Sequence, residues 1–132
     1  MNFSQHGSYK LWSKERVIYA EISGAWNREA ALNYSKEFKT LASSFSGDWA
    51  HLVYLDDFEL CGEEVFGVIQ ELVAWCIAHG LKRAAHVYSP SMVKKEFVGK
   101  MVAERQGEFT RAIFDNEMSA RLWLSNEGYK NT

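Results

Sequence analysis

From Ser8 the chain alternates, with Tyr9, Leu11 and Ser13 on one side and Lys10, Trp12 and Lys14 on the other. A period of two predicts a half-exposed strand. The polar step Lys14-Glu15 leads into Val17-Ile18-Tyr19-Ala20-Glu21-Ile22, a more continuously apolar run. So short a link predicts an antiparallel hairpin, which Ser23-Gly24 ends.

The period then changes. Asn27 is a candidate N-cap for a helix over 28–45, with the stripe Ala31, Tyr34, Phe38, Leu41 and Phe45 at spacings of three and four. Gly47 suits its stop. His51-Leu52-Val53-Tyr54-Leu55 has no polar alternation, as expected of a strand covered on both faces, and ends at Asp56-Asp57. A second helix is predicted over 63–79, with Val65, Phe66, Ile69, Leu72, Val73, Cys76 and Ile77 inward and Gly80 closing it. Ala84–Tyr88 is the next strand. Ser89 and Pro90 open a third helix as cap and first helical residue. Phe97, Val98, Met101 and Val102 form its apolar side, and Gly107 ends it. Thr110–Phe114 is a last strand, and Asp115 or Asn116 caps a final helix carrying Met118, Leu122 and Trp123 before Gly128.

The expected order is β-β-α-β-α-β-α-β-α. Strands that alternate with helices imply right-handed crossovers, a mainly parallel sheet and helices on its faces. One α/β domain is expected over 8–129, between a flexible tail at 1–7 and a short one at 130–132.

Composition narrows the function classes. Of 132 residues 47% are hydrophobic and the net charge is -2, which lacks the basic footprint of a nucleic-acid binder. Lys94, Lys95, Lys100 and Arg105 do not share one helical face and are interleaved with Glu96 and Glu104, so they read as solvated surface. Aromatic residues reach 14%, including five tryptophans, enough for some rings to lie at an interface. No apolar run approaches the ~20 residues that cross a bilayer, so membrane insertion is not expected. Met1–Gly7 lacks the apolar core of a secretory signal, and Cys61 and Cys76 suit free thiols. A cytoplasmic protein is expected.

Ligand sites in open α/β sheets gather beyond the carboxyl ends of the parallel strands. That edge should collect Trp26, Asp56, Asp57, Phe58, Glu59, Cys61, Glu63, Glu64, Ser89 and Ser91. Asp56 and Asp57 could act as an acid/base pair or hold a cation. Adjacent residues on an extended chain point apart, however, which favours a turn or capping role. Cys61 stands near a helix N-terminus, but its acidic neighbours raise a thiol pKa and disfavour a nucleophile. Cys76 lies on a core stripe. His6, His51, His79 and His86 lack ligand spacing, and Gly62 and Gly67 do not make a phosphate loop, so no metal or cofactor is expected. On the second helix Val68 and Trp75, with Glu71 between, fall outside the buried stripe. They form a candidate association face, unless a neighbouring helix covers them.

His51–Phe58 running into Val65–Ile69, and the ending Ile113-Phe114-Asp115-Asn116-Glu117 through Ala120-Arg121-Leu122-Trp123-Leu124, resemble the SpoIIAA-like (STAS-related) group of small bacterial proteins. That ending is similar to the group's "F/Y-D … E-A-R-x-W-L" pattern. The resemblance implies a SpoIIAA-like fold. Anti-sigma-factor antagonists with this fold carry a phosphorylatable serine in an Asp-Ser-x-Gly-type turn opening the second helix. Registering on Gly67-Val68-Ile69 puts that turn at Cys61-Gly62-Glu63-Glu64, which has no hydroxyl side chain. The resemblance therefore implies the scaffold without its kinase switch. Glu63 and Glu64 are either a fixed negative charge or ordinary first-turn acids.

Two readings of function follow. The first is a non-enzymatic binding or regulatory module, acting on another protein or on a second copy of itself through the carboxyl edge or the Val68–Trp75 face. The second is a carrier or enzyme for a small apolar molecule lodged near Trp26, Phe58 and Phe66. The resemblance also implies some capacity for nonpolar ligands.

Overall fold

The computed structural model describes residues 6–59, 61–89 and 92–130. Strands β1 (Ser8–Lys14) and β2 (Val17–Ser23) form the antiparallel hairpin, with Glu15 in the left-handed region at φ 56° in its turn. Tyr9 and Leu11 pack inward, while Trp12 stacks on Tyr19 from the other face. Then follow α1 (Arg28–Ala42), β3 (Trp49–Tyr54), α2 (Glu63–Ala78), β4 (Leu81–Val87) and α3 (Met92–Gly99). A two-residue strand β5 (Arg105–Gln106), β6 (Phe109–Phe114) and α4 (Glu117–Asn126) complete the order.

The six strands lie in the order β1-β2-β3-β4-β6-β5, and β2, β3, β4 and β6 are mutually parallel. Three crossovers advance in one direction along this order. Right-handed connections of that kind all place their helices on the same face. Buried residues of α1, α2 and α3 accordingly share one core with the inward side chains of β2, β3, β4 and β6, and α4 alone packs on the opposite face through Ala120 and Leu124.

Several helix ends follow from side-chain chemistry. Asn27 caps α1 by accepting from the Ala30 N–H at 3.1 Å, and Asn116 caps α4 by accepting from the Ser119 N–H at 2.8 Å. Arg16 in the hairpin turn donates to the carbonyls of Asp48 and Ser46, fixing the approach to β3. Trp49, fully buried, donates its indole N–H to the His79 carbonyl at 2.8 Å and so ties the start of β3 to the end of α2.

Several expectations need correction. Helix α1 stops at Ala42, and Phe45 packs on Trp49 from the following loop. Helix α3 stops at Gly99, not Gly107. Val98, Met101 and Val102 are all buried, so their apolar spacing continues past the helix into an irregular segment. Gly107, at φ 60°, instead lies in the turn between β5 and β6. Helix α4 carries Met118, Leu122 and Trp123 as expected, with Met118 and Leu122 pointing outward at 81% and 61% exposure. Ahead of β1, the His6 N–H donates to the Asn27 side chain at 3.0 Å. Pro90 and Ser91, expected in the opening turn of α3, lie outside the described residues, as do residues 1–5.

Two glycines give opposite expectations. Gly80, at φ 108°, sits so close to Trp49 and the Gly47 carbonyl that a Cβ there would overlap them. Gly67 is exposed within α2 with nothing near its missing Cβ. In urea unfolding, Gly80→Ala should destabilise by at least about 1–2 kcal/mol. Gly67→Ala should stabilise by about 0.5–1 kcal/mol. Equal effects would contradict these backbone roles.

Candidate functional site

Alternation along three central strands decides what faces the α1–α3 layer. Residues Ala84, His86 and Tyr88 of β4 and its exit share that side with His51 and Val53 of β3 and Phe109, Arg111 and Ile113 of β6. Between sheet and helices lies a cavity of about 90 Å³. Trp26 and Phe58 wall it toward the carboxyl edge. Leu72 and Cys76 of α2 form its roof, and Val98, Val102 and Phe109 its far end. Among the described residues its polar lining side chains are the imidazoles of His51 and His86 and the phenol of Tyr34.

Both imidazoles are held neutral. His51 is buried, which lowers its pKa from 6.5 to about 4, partly opposed by its hydrogen bond to the Ile18 carbonyl. A carbonyl only accepts, so Nδ1 of His51 carries the proton in that 2.8 Å bond. His86 lies well below its ordinary pKa, first through burial and then through the charges of Arg111 and His51. Among the described residues its Nδ1 has no hydrogen-bond partner, nor have the Tyr88 hydroxyl and Nε and Nη1 of Arg111.

The expected edge residues divide into several groups. Trp26 and Phe58 are buried, 6.0 Å apart with perpendicular rings, and face the cavity. Asp56 and Asp57 are exposed. Asp56 accepts from the Ser89 N–H at 2.7 Å and so joins the exits of β3 and β4, while the Asp57 carbonyl accepts from Gly24. Cys61 is half-buried, and burial, then the Glu64 charge, pushes its thiol to about 11, which keeps it protonated at neutral pH. Cys76 is pushed up to about 12, chiefly by burial. Glu63 and Glu64 open α2 behind Gly62 and are exposed. Among the described residues, no group of three or more His, Cys, Asp and Glu side chains could hold a metal ion. Nor is any described helix long and apolar enough to cross a membrane.

The outward position expected for Val68 and Trp75 needs correction. Val68 is buried, and Trp75 is half-buried with Lys39 of α1 over its ring at 5.7 Å and His79 stacked on it at 4.0 Å. Glu71 is exposed and reaches Lys39 at 3.8 Å. Helix α1 lies along this face, so α2 buries a wider arc than a single stripe.

Sequence reasoning missed Arg111 and weighed His86 only as a metal ligand. A signal was present: each occupies an inward place in a strand, His86 between Ala84 and Tyr88, Arg111 between Phe109 and Ile113. The residues of the resembling C-terminal ending serve to fasten α4. Arg121 pairs with Glu117 at 2.6 Å and lies over the Tyr19 ring at 5.1 Å, while Trp123 packs on Phe114.

A pH dependence follows from His51. Its folded pKa lies below the unfolded 6.5, so the stability it contributes is complete above pH 6.5 and is lost as pH falls toward 4. The displacement corresponds to about 3 kcal/mol, and His86 acts in the same direction. His51→Gln should flatten the fall in urea-unfolding stability between pH 6.5 and 4 by roughly that amount. An unchanged pH profile would show that His51 is not buried neutral.

No family model and no curated protein matches the sequence. Among solved structures, the chain is similar to an uncharacterised protein of the DUF3478 family with a SpoIIAA-like fold from Shewanella loihica PV-4. The two superpose with a TM-score of 0.68 at 8% identity, over 94% of this chain and 98% of that one. At that identity the likeness concerns architecture, and the protein has a SpoIIAA-like fold.

Proposed function

We propose that the protein is a non-enzymatic binding module that takes a small, largely apolar molecule into the cavity between its sheet and the α1–α3 layer. The cavity itself carries this reading: about 90 Å³ of space, walled almost wholly by apolar side chains, in a layer that close packing would otherwise fill. A cavity of ~150 Å³ accepts benzene, so this one suits a body of a few carbon atoms or the end of a longer chain. Trp26 and Phe58, expected at a ligand edge, line it, whereas Phe66 packs elsewhere on the core. The high thiol pKa values of Cys61 and Cys76 support a binding role over nucleophilic chemistry.

A second reading, contact with another protein or a second copy, draws on Met118 and Leu122, one turn apart on the outward face of α4. Light scattering after size exclusion tests it. A monomer that Leu122→Glu leaves unaltered would remove self-association.

Native mass spectrometry of the protein from its own host tests the main reading. A retained small molecule is expected, together with its loss in Val98→Phe, which grows a ring into the cavity. A consistently empty wild-type protein that also binds none of a panel of small hydrocarbons and alcohols would contradict it.

A further inference from the structure

Four residues make up the buried polar and charged set among those described: Ser35, His51, His86 and Arg111. Arg111 is the one whose charge persists near neutral pH, since burial holds both imidazoles neutral. It is 9% exposed, and its Nε and Nη1 donate to nothing among the described residues. No ion pair among the described residues includes it. A buried guanidinium with unused donors is costly, by more than a neutral group would be. Closely packed chains satisfy such groups, with ordered water or a ligand where the protein itself does not.

The position of Arg111 is informative. Ala84, its neighbour across the β4–β6 ladder, walls the cavity, and so does Phe109, two residues earlier on the same face. His86, the next inward residue of β4, is 4% exposed, also lines the cavity and has an unpartnered Nδ1. Tyr88 follows at 1% exposure with an unpartnered hydroxyl. The Arg111 charge acts on both, lowering the pKa of His86 and opposing the rise that burial gives Tyr88.

We infer that Arg111 and Tyr88, which adjoin the cavity lining at Ala84, Phe109 and His86 without being part of it, form with His86 an anion-receiving end to the cavity, so that its ligand is a small organic acid: an apolar body ending in a carboxylate. This rests on the cavity being a ligand site. The carboxylate supplies acceptors for the Arg111 donors and the Tyr88 hydroxyl, and the apolar body fills the space toward Leu72 and Val98. One monoanion cancels the one buried cation. A phosphate dianion would leave net negative charge in a dry layer, which disfavours it.

Matched probes test the inference: butanoate, hexanoate and octanoate against butanol, hexanol and octanol, followed by calorimetry and by the NMR signals of the cavity methyl groups. The acids should bind at least about tenfold more tightly than alcohols of the same length, as expected for hydrogen bonds to a charged group. Arg111→Met should abolish that preference while leaving alcohol affinity within about twofold, since the apolar walls remain. Should Arg111→Met fail to fold, Tyr88→Phe removes only a hydroxyl. It should weaken the acids several-fold and spare the alcohols. Equal binding of acids and alcohols by the wild type, or a preference that survives either variant that folds, would overturn the anion site and leave the apolar cavity standing. Failure of both series to bind would overturn both.

Discussion

Three parallel crossovers that advance in one direction carry α1, α2 and α3 to the same face of the sheet. That constraint turns one face of β3, β4 and β6 into the floor of a thick apolar layer, while the opposite face receives only α4. Any polar residue at an inward position of those strands is then taken out of water whether or not a partner is provided. His51 finds the Ile18 carbonyl. Among the described residues, His86, Tyr88 and Arg111 leave donors or acceptors unpaired. Burying such groups is costly, and of the three His86 lines the cavity while Arg111 and Tyr88 stand beside its lining.

The architecture separates holding the sheet together from forming the site. Arg16, Trp49 and the Arg121–Glu117 pair fasten loops and helices without lining the cavity. The acidic residues at the start of α2 and the Asp56-Asp57 step lie at the carboxyl edge and make turns and helix openings. A SpoIIAA-like scaffold without a hydroxyl in the Cys61–Glu64 turn thus retains an edge shaped for joining strands. Its distinctive polar chemistry lies inside the helix–sheet layer.

Much of this was legible in the sequence. The caps Asn27 and Asn116, the two-period strand from Tyr9 and the unbroken apolar run of β3 each carry a local signal strong enough to survive packing. The end of α3 was not legible, because Val98, Met101 and Val102 keep helical spacing while serving as core residues of an irregular segment. The two residues of β5 are too few to show a period. Val68 misled because the stripe of α2 was measured against a sheet alone, whereas α1 packs along its flank and widens the buried arc. Arg111 was missed because a charged residue in a strand is ordinarily taken to face solvent. Its inward place shows when Arg111 is read on one face with Phe109 and Ile113, and the register of β6 against β4 confirms it.

The central claim is that the layer between sheet and helices is built to receive a guest. Xenon enters small apolar cavities without needing a polar partner, so its binding reports on the cavity apart from any recognition of charge. In methyl-resolved NMR under xenon pressure, saturable shifts are predicted for Leu72, Val98 and Val102, with Leu52 and Leu124 on the far face of the sheet unmoved. Uniform, linear pressure shifts across both faces would show a closed and filled core and contradict the account.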